Sequence, residues 1–237
     1  MRLMIVPSYL LKPAAALIVS GIMGLLLLSV FWQGSTVFAA RLAEPHIVVL
    51  DPGHGGYDPG TITPEGLYEK ELNLHIAQKV AALLRPSGIE VILTREEDQD
   101  FVPDGVRGKS TRKQIDLNYR IGLANQVQAE IFVSLHVNAT VTGRNSGAET
   151  FYHSSSAEGI RLAESIQQEL IKIPDMNKRV AKPGDFYIIN NTAMPAVIVE
   201  LGYLSNSKER EKLEQTWYQD QLARAVAKGI AVYFGLP

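Results

Sequence analysis

The 237-residue chain has no cysteine, which excludes disulfides and thiolate metal sites. Any zinc it binds must be held by His, Asp or Glu. There is no G-x-S-x-G elbow, so a serine hydrolase of that type has no nucleophile. The nucleotide-cradling loop G-x-x-x-x-G-K-[ST] is missing as well. So is any basic excess: the formal net charge is −2, which argues against a nucleic-acid partner. No internal repeat or low-complexity tract occurs. The chain does have 46% hydrophobic and 20% charged residues, a composition that can build a core and is unlike disorder.

The apolar residues are unevenly spread. Arg2 and Lys12 precede an apolar stretch from Pro13 to Trp32, with no acidic residue in the first forty. Such a stretch can span a bilayer. Positive residues ahead of it predict a cytoplasmic N-terminus and an exported remainder. Val37-Phe38-Ala39 places small residues as a signal peptidase needs them. Residues 1–32 thus read as a membrane anchor or a signal segment, 33–45 as a linker and 46–237 as one domain.

Within that domain, apolar runs alternate with helical periodicity. Ile47–Leu50 reads as a first strand. Leu72, Ile76, Val80, Leu83 and Leu84 recur at helical spacing, which predicts a helix over Glu69–Leu84. Ile89–Leu93 reads as a strand, 96–114 as a long polar connection and Ile115–Val127 as a second helix. Ile131–Leu135 is a strand that ends at His136, and Ala148–His153 another. Ser156 reads as the N-cap of a helix reaching Ile171. Phe186–Ile189 is expected to be a short strand and Ala196–Leu201 a buried one. Leu222, Val226, Ile230 and Tyr233 mark a last helix. The alternation predicts a single three-layer α/β domain, a mainly parallel twisted sheet flanked by helices. An apolar helix is expected ahead of it.

Chemistry gathers at the strand ends. His54 lies in the glycine-rich turn Asp51-Pro52-Gly53-His54-Gly55-Gly56, just after the first strand. His136 and Glu200 each end an apolar run, and Glu69 opens a helix. Carboxyl ends of parallel strands line the ligand crevice of α/β sheets. A carboxylate beside Val197, Ile198 and Val199 is costly to bury unless a cation or donor compensates. Glu69 has a competing explanation, since acidic residues suit the positive end of a helix. Together the four suit three metal ligands and one proton carrier, the arrangement of a zinc hydrolase. His46, His75 and His153 read as structural, with His153 within possible reach of the crevice.

Four blocks carry a family resemblance: Leu50–Gly56, Glu69-Lys70, Ser134-Leu135-His136-Val137-Asn138-Ala139 and Pro195–Asn206. They resemble the zinc-dependent N-acetylmuramoyl-L-alanine amidases of the type-3 family over residues 46–234. The resemblance implies Zn2+ held by His54, Glu69 and His136, with Glu200 as the catalytic carboxylate. It implies peptidoglycan as substrate, cleaved between the lactyl group of N-acetylmuramic acid and L-alanine. Asp51 and Asn138 are expected to support the ligating histidines. The insertion before Asp116 and the N-terminal apolar segment make the chain most similar to the germination-specific spore-cortex subtype. That subtype acts in the forespore envelope, in the first step toward muramic-δ-lactam. Residues 139–195 leave little room for a self-inhibitory helix, so control is expected from an activating protein partner or from restricted access. The alternatives are a vegetative cell-wall amidase, a zinc-bearing peptidoglycan-binding module and a glycan deacetylase.

Overall fold

The computed structural model describes residues 45–237, together with Met23, Leu25 and Ser29. The expected anchor or signal segment therefore lies almost wholly outside the described residues. Among those described, no helix is long and apolar enough to cross a membrane.

Residues 45–237 form one compact unit around a six-stranded sheet ordered β2-β1-β3-β6-β4-β5. The strands are β1 (Ile47–Pro52), β2 (Glu90–Leu93), β3 (Ile131–Asn138), β4 (Glu149–Tyr152), β5 (Lys182–Pro183) and β6 (Ala196–Tyr203). Strands β2, β1, β3 and β6 run parallel, and β4 pairs antiparallel with β6. The helices are α1 (Glu69–Leu84), α2 (Lys109–Gln126), α3 (Ala157–Leu170), α4 (Tyr187–Asn191), α5 (Ser207–Leu213) and α6 (Thr216–Tyr233).

The alternation of side chains along each strand sorts them into two cores. Val48, Leu50, Val133, Val197 and Val199 face the larger one, which α1, α3 and α6 cover. Val49, Phe132, Ala196 and Ile198 face a smaller one, closed by Ile121 and Ala124 of α2 and by Ile188 and Ile189 of α4. Strands buried on both faces read as unbroken apolar runs, and these do.

Three expectations need correction. Phe186–Ile189 is not a strand. Its isoleucines lie in the short helix α4, and Lys182–Pro183 takes the sheet edge beside β4 instead. Consecutive Ile188 and Ile189 both enter one core, which a strand's alternation would prevent. Helix α2 begins at Lys109, six residues before its expected start, because its first turns are polar and show no apolar stripe. Helix α5 was not anticipated. Its signal is Asn206, whose side chain accepts from Lys208 N and Glu209 N.

Candidate active site

The parallel strands set the site's position. Asp51 pairs with Ser134 across β1 and β3, and His136 pairs with Glu200 across β3 and β6. A register shift follows between His136 and Asn138. Such bulges re-aim side chains at the ends of strands. His54, His136 and Glu200 thus collect at one edge of the sheet. Glu69 reaches the same place from the first residue of α1.

The turn after β1 presents His54 with φ 64°, a left-handed conformation rare outside glycine. Buried arginines hold it there. Arg95 Nε donates to His54 O at 2.7 Å and Arg120 Nη2 at 2.8 Å. Arg95 also donates to Gly53 O and Lys70 O, and Arg120 to Pro52 O. Gly53 is required for space: a Cβ there would lie 2.2 Å from His136 Cε1.

Glu69 is the centre of the cluster. Its Oε1 lies 3.0 Å from His54 Nε2 and 3.2 Å from His136 Nδ1. Its Oε2 accepts from Thr61 N at 2.8 Å. One ligand atom from each of the three residues falls within 4.8 Å of the others. Burial penalises a charged Glu69, but the bonds from His136 and His54 hold its carboxyl far below the usual range. Burial also disfavours an imidazolium at His54, yet Asp58 and Glu69 raise its pKa to about 9. A desolvated carboxylate between two imidazoles, calling for positive charge, fits a divalent cation. Two His and one Glu are a donor set suited to zinc.

Glu200 sits beside the cluster in a different environment. Its Oε2 is buried without a hydrogen-bond partner. Burial pushes its pKa up to about 7; nearby His136 opposes the rise, while Glu69 and Glu149 add to it. Glu149 lies opposite Glu200 across β4 and β6, and is paired with Arg179 at 3.2 Å and Lys182 at 2.9 Å.

All four candidate residues are thus brought together. The expected supporting residues are not where they were placed. Asp51 does not touch a histidine: it accepts from Thr94, Ser134 and Arg120, at 2.6 to 2.7 Å. Asn138 contributes its carbonyl to Leu204 N. The partner that orients His54 is Asp58, whose Oδ2 lies 2.8 Å from Nδ1. Asp58 could have been found as the first carboxylate beyond the glycine turn. Arg95 and Arg120 carry no sequence signal, since only the fold shows their burial. His46 is stacked on Phe234 and bonded to Glu130, and His75 is exposed. His153 follows Tyr152, which pairs with Val197 near the start of β6, so it lies at the far end of the sheet.

A three-layer α/β fold with a His/Glu/His cluster able to hold a metal ion at the strand ends is consistent with a zinc hydrolase. The profile of the N-acetylmuramoyl-L-alanine amidase family, Amidase_3, matches residues 48–232, and the chain belongs to this family. It is an N-acetylmuramoyl-L-alanine amidase, a hydrolase acting on peptidoglycan outside the cytoplasmic membrane. The germination-specific N-acetylmuramoyl-L-alanine amidase of Bacillus subtilis is 40% identical over 189 residues, 79% of each chain. The CwlD amidase of Clostridioides difficile, solved in complex with the GerS lipoprotein, is 35% identical with a TM-score of 0.77. That match covers 80% of this chain and 98% of the other. The catalytic domain of CwlV from Bacillus (Paenibacillus) polymyxa is 32% identical, TM-score 0.71, over 81% and 99% of the two chains.

Proposed function

We propose that His54, Glu69 and His136 hold a zinc ion and that Glu200 is the proton carrier of amide hydrolysis. The observation that carries this reading is geometric: one ligand atom each from His54, Glu69 and His136 lies within 4.8 Å of the others, and Glu200, opposite His136 across β3 and β6, has a buried oxygen without a hydrogen-bond partner. Burial raises the Glu200 pKa to about 7, while the imidazoles beside Glu69 lower its own. Environments that push two carboxyls apart separate a ligand from a general base. Bound at the cluster, zinc supplies Lewis-acid polarisation and an acidified water. Glu200 takes the proton of the attacking water and returns it to the departing L-alanine amine. Asp58 fixes the tautomer and orientation of His54. Asn73 and Thr61 N hold Glu69, and the β3–β6 pairing sets Glu200 opposite His136. The bond broken joins the lactyl group of N-acetylmuramic acid to L-alanine.

We further propose a role in the spore cortex, at the first step toward muramic-δ-lactam. Likeness to the germination-specific amidase of B. subtilis and to CwlD supports it. CwlD is solved with a lipoprotein, which supports an activating protein partner for this chain too. The N-terminal segment would carry the enzyme across the membrane, as an anchor or a cleaved signal. Complementation tests the role. Expressed in a spore former lacking its own germination-specific amidase, this chain should restore muramic-δ-lactam to the cortex, and the Glu200→Gln form should not. Normal wall turnover without any lactam would assign the chain to vegetative growth instead.

A further inference from the structure

A cleft of about 550 Å3 opens at the N-terminus of α2. Tyr57 and Asp58 of the His54 turn form one wall, and Arg107, Lys109 and Arg112 the other. A smaller cleft of about 220 Å3 shares Tyr57, Asp58 and Lys109 with it, and is walled by His54, Glu69 and Lys113. Together they make a groove running from the reacting cluster to α2.

Four cations line this groove: Arg107, Lys109, Arg112 and Lys113. Among the described residues none of them makes an ion pair within 4.0 Å or a side-chain hydrogen bond, although Arg107, Lys109 and Lys113 are exposed and the charge of Lys113 acts on Asp58. Arg112 lies 3.9 Å from the Tyr57 ring centre, and its Nε is buried without a partner. Asp58 is the one acidic side chain among the residues walling the larger cleft, and it is committed to His54 Nδ1 and Gly60 N.

This arrangement works against local stability. Helix α2 has no acidic residue in its first turn, no side-chain N-cap, and cations at 109, 112 and 113. Cations there oppose the helix dipole. Lys109 and Lys113, four residues apart, repel each other on the same face. Local rules broken together at one place mark a functional site.

We propose that this groove binds a free carboxylate of the peptide stem beside the scissile bond. The proposal rests on the amidase reading of the cluster. The N-acetylated glycan is uncharged, and the lactyl carboxyl is consumed in the amide. Anionic groups begin in the stem, with the carboxylate of the D-glutamyl residue that follows L-alanine. The groove starts at the cluster and carries unpaired cations, so it suits that group. Its residues come from the polar stretch 96–114, which makes that stretch a determinant of stem recognition.

The test compares N-acetylmuramoyl-L-alanyl-D-isoglutamate with its isoglutamine amide, the γ-carboxyl being capped as the N-methylamide in both, using the full-length protein and the Lys109→Ala/Lys113→Ala variant. Alanine favours helix, so α2 is retained. The wild type should prefer the acid by about tenfold in kcat/KM, through KM, which is within reach of one charge-assisted hydrogen bond. The variant should lose that preference and keep its rate on the amide within twofold. An unchanged preference, or equal losses on both substrates, overturns the proposal. Calorimetry with the product L-alanyl-D-isoglutamate gives a readout independent of turnover. Binding should weaken in the variant and with added salt. If the wild type without an activating partner cleaves neither substrate, dipeptide binding alone decides, and undiminished binding by the variant overturns the groove.

Discussion

Glu69 and Glu200 are both buried, yet they behave as opposites. Glu69 has two imidazoles and two backbone N–H groups around it and stays ionised. Glu200 has an oxygen with no donor, and its pKa rises to about 7. Replacing Glu200 by Gln should lower kcat by about 10² to 10⁴, the range of general acid–base assistance. Zinc content, read by metal analysis, should be unchanged. Glu69→Gln should instead lose the metal. The same raised pKa has a consequence for stability. The unfolded chain releases this proton near 4.5, and the folded chain holds it to about 7. The contribution of Glu200 to stability is therefore full below pH 4.5 and is lost as the pH rises through 7. The loss is at most about 3 kcal/mol. In chelator-treated protein, Glu200→Gln should raise Tm by roughly 5 °C at pH 8 and leave it unchanged at pH 4. Equal melting at pH 8 would show that Glu200 is not held under strain.

At the scale of elements, the His54 turn depends on side chains far away in sequence. Arg95 and Arg120 are each 1% exposed, and both donate to His54 O. Asp51 Oδ1, 2.7 Å from Arg120 Nη1, anchors that arginine under the turn. Arg120 keeps a second buried partner in Asp116, 2.8 Å from its Nε, so Asp51→Asn should destabilise by about 1 to 3 kcal/mol, the cost of a lost buried hydrogen bond to a charged group. Arg95→Lys should weaken zinc binding by about 10- to 100-fold, as loss of an outer support does. Chelator competition measures this, and an unaltered affinity would show that the turn holds its conformation unaided. Ser156→Ala, which removes the bond accepted from Gly159 N, should cost about 1 kcal/mol by chemical denaturation. The sequence made the strands that carry His54, His136 and Glu200 readable, because burial on both faces leaves unbroken apolar runs. It also made α1 readable from Glu69 to Leu84 through the stripe Leu72, Ile76, Val80 and Leu84. It misled at Ile188-Ile189, where two β-branched residues sit in a helix. It was silent on Arg95 and Arg120, whose roles depend on which distant groups the fold brings beside them.

For the molecule as a whole, the parallel arrangement of β1, β3 and β6 accounts for the site. Their carboxyl ends share one edge, so residues separated by more than a hundred positions converge without a long connecting loop. The polar stretch after β2 is tied onto that edge. Asp98 accepts from Gly56 N and Lys70 Nζ, and Asp100 accepts from Tyr57 N. The connection is thus part of the wall of the site and not a free excursion. The account's central claim is that this edge performs zinc-dependent hydrolysis with Glu200 as proton carrier. The most direct measurement incubates the protein with intact peptidoglycan, with and without zinc, and analyses the released fragments by mass spectrometry. Peptides beginning with L-alanine, released only with zinc and absent for Glu200→Gln, are the expected result. Equal release by Glu200→Gln, or release of acetate without stem peptides, would contradict it.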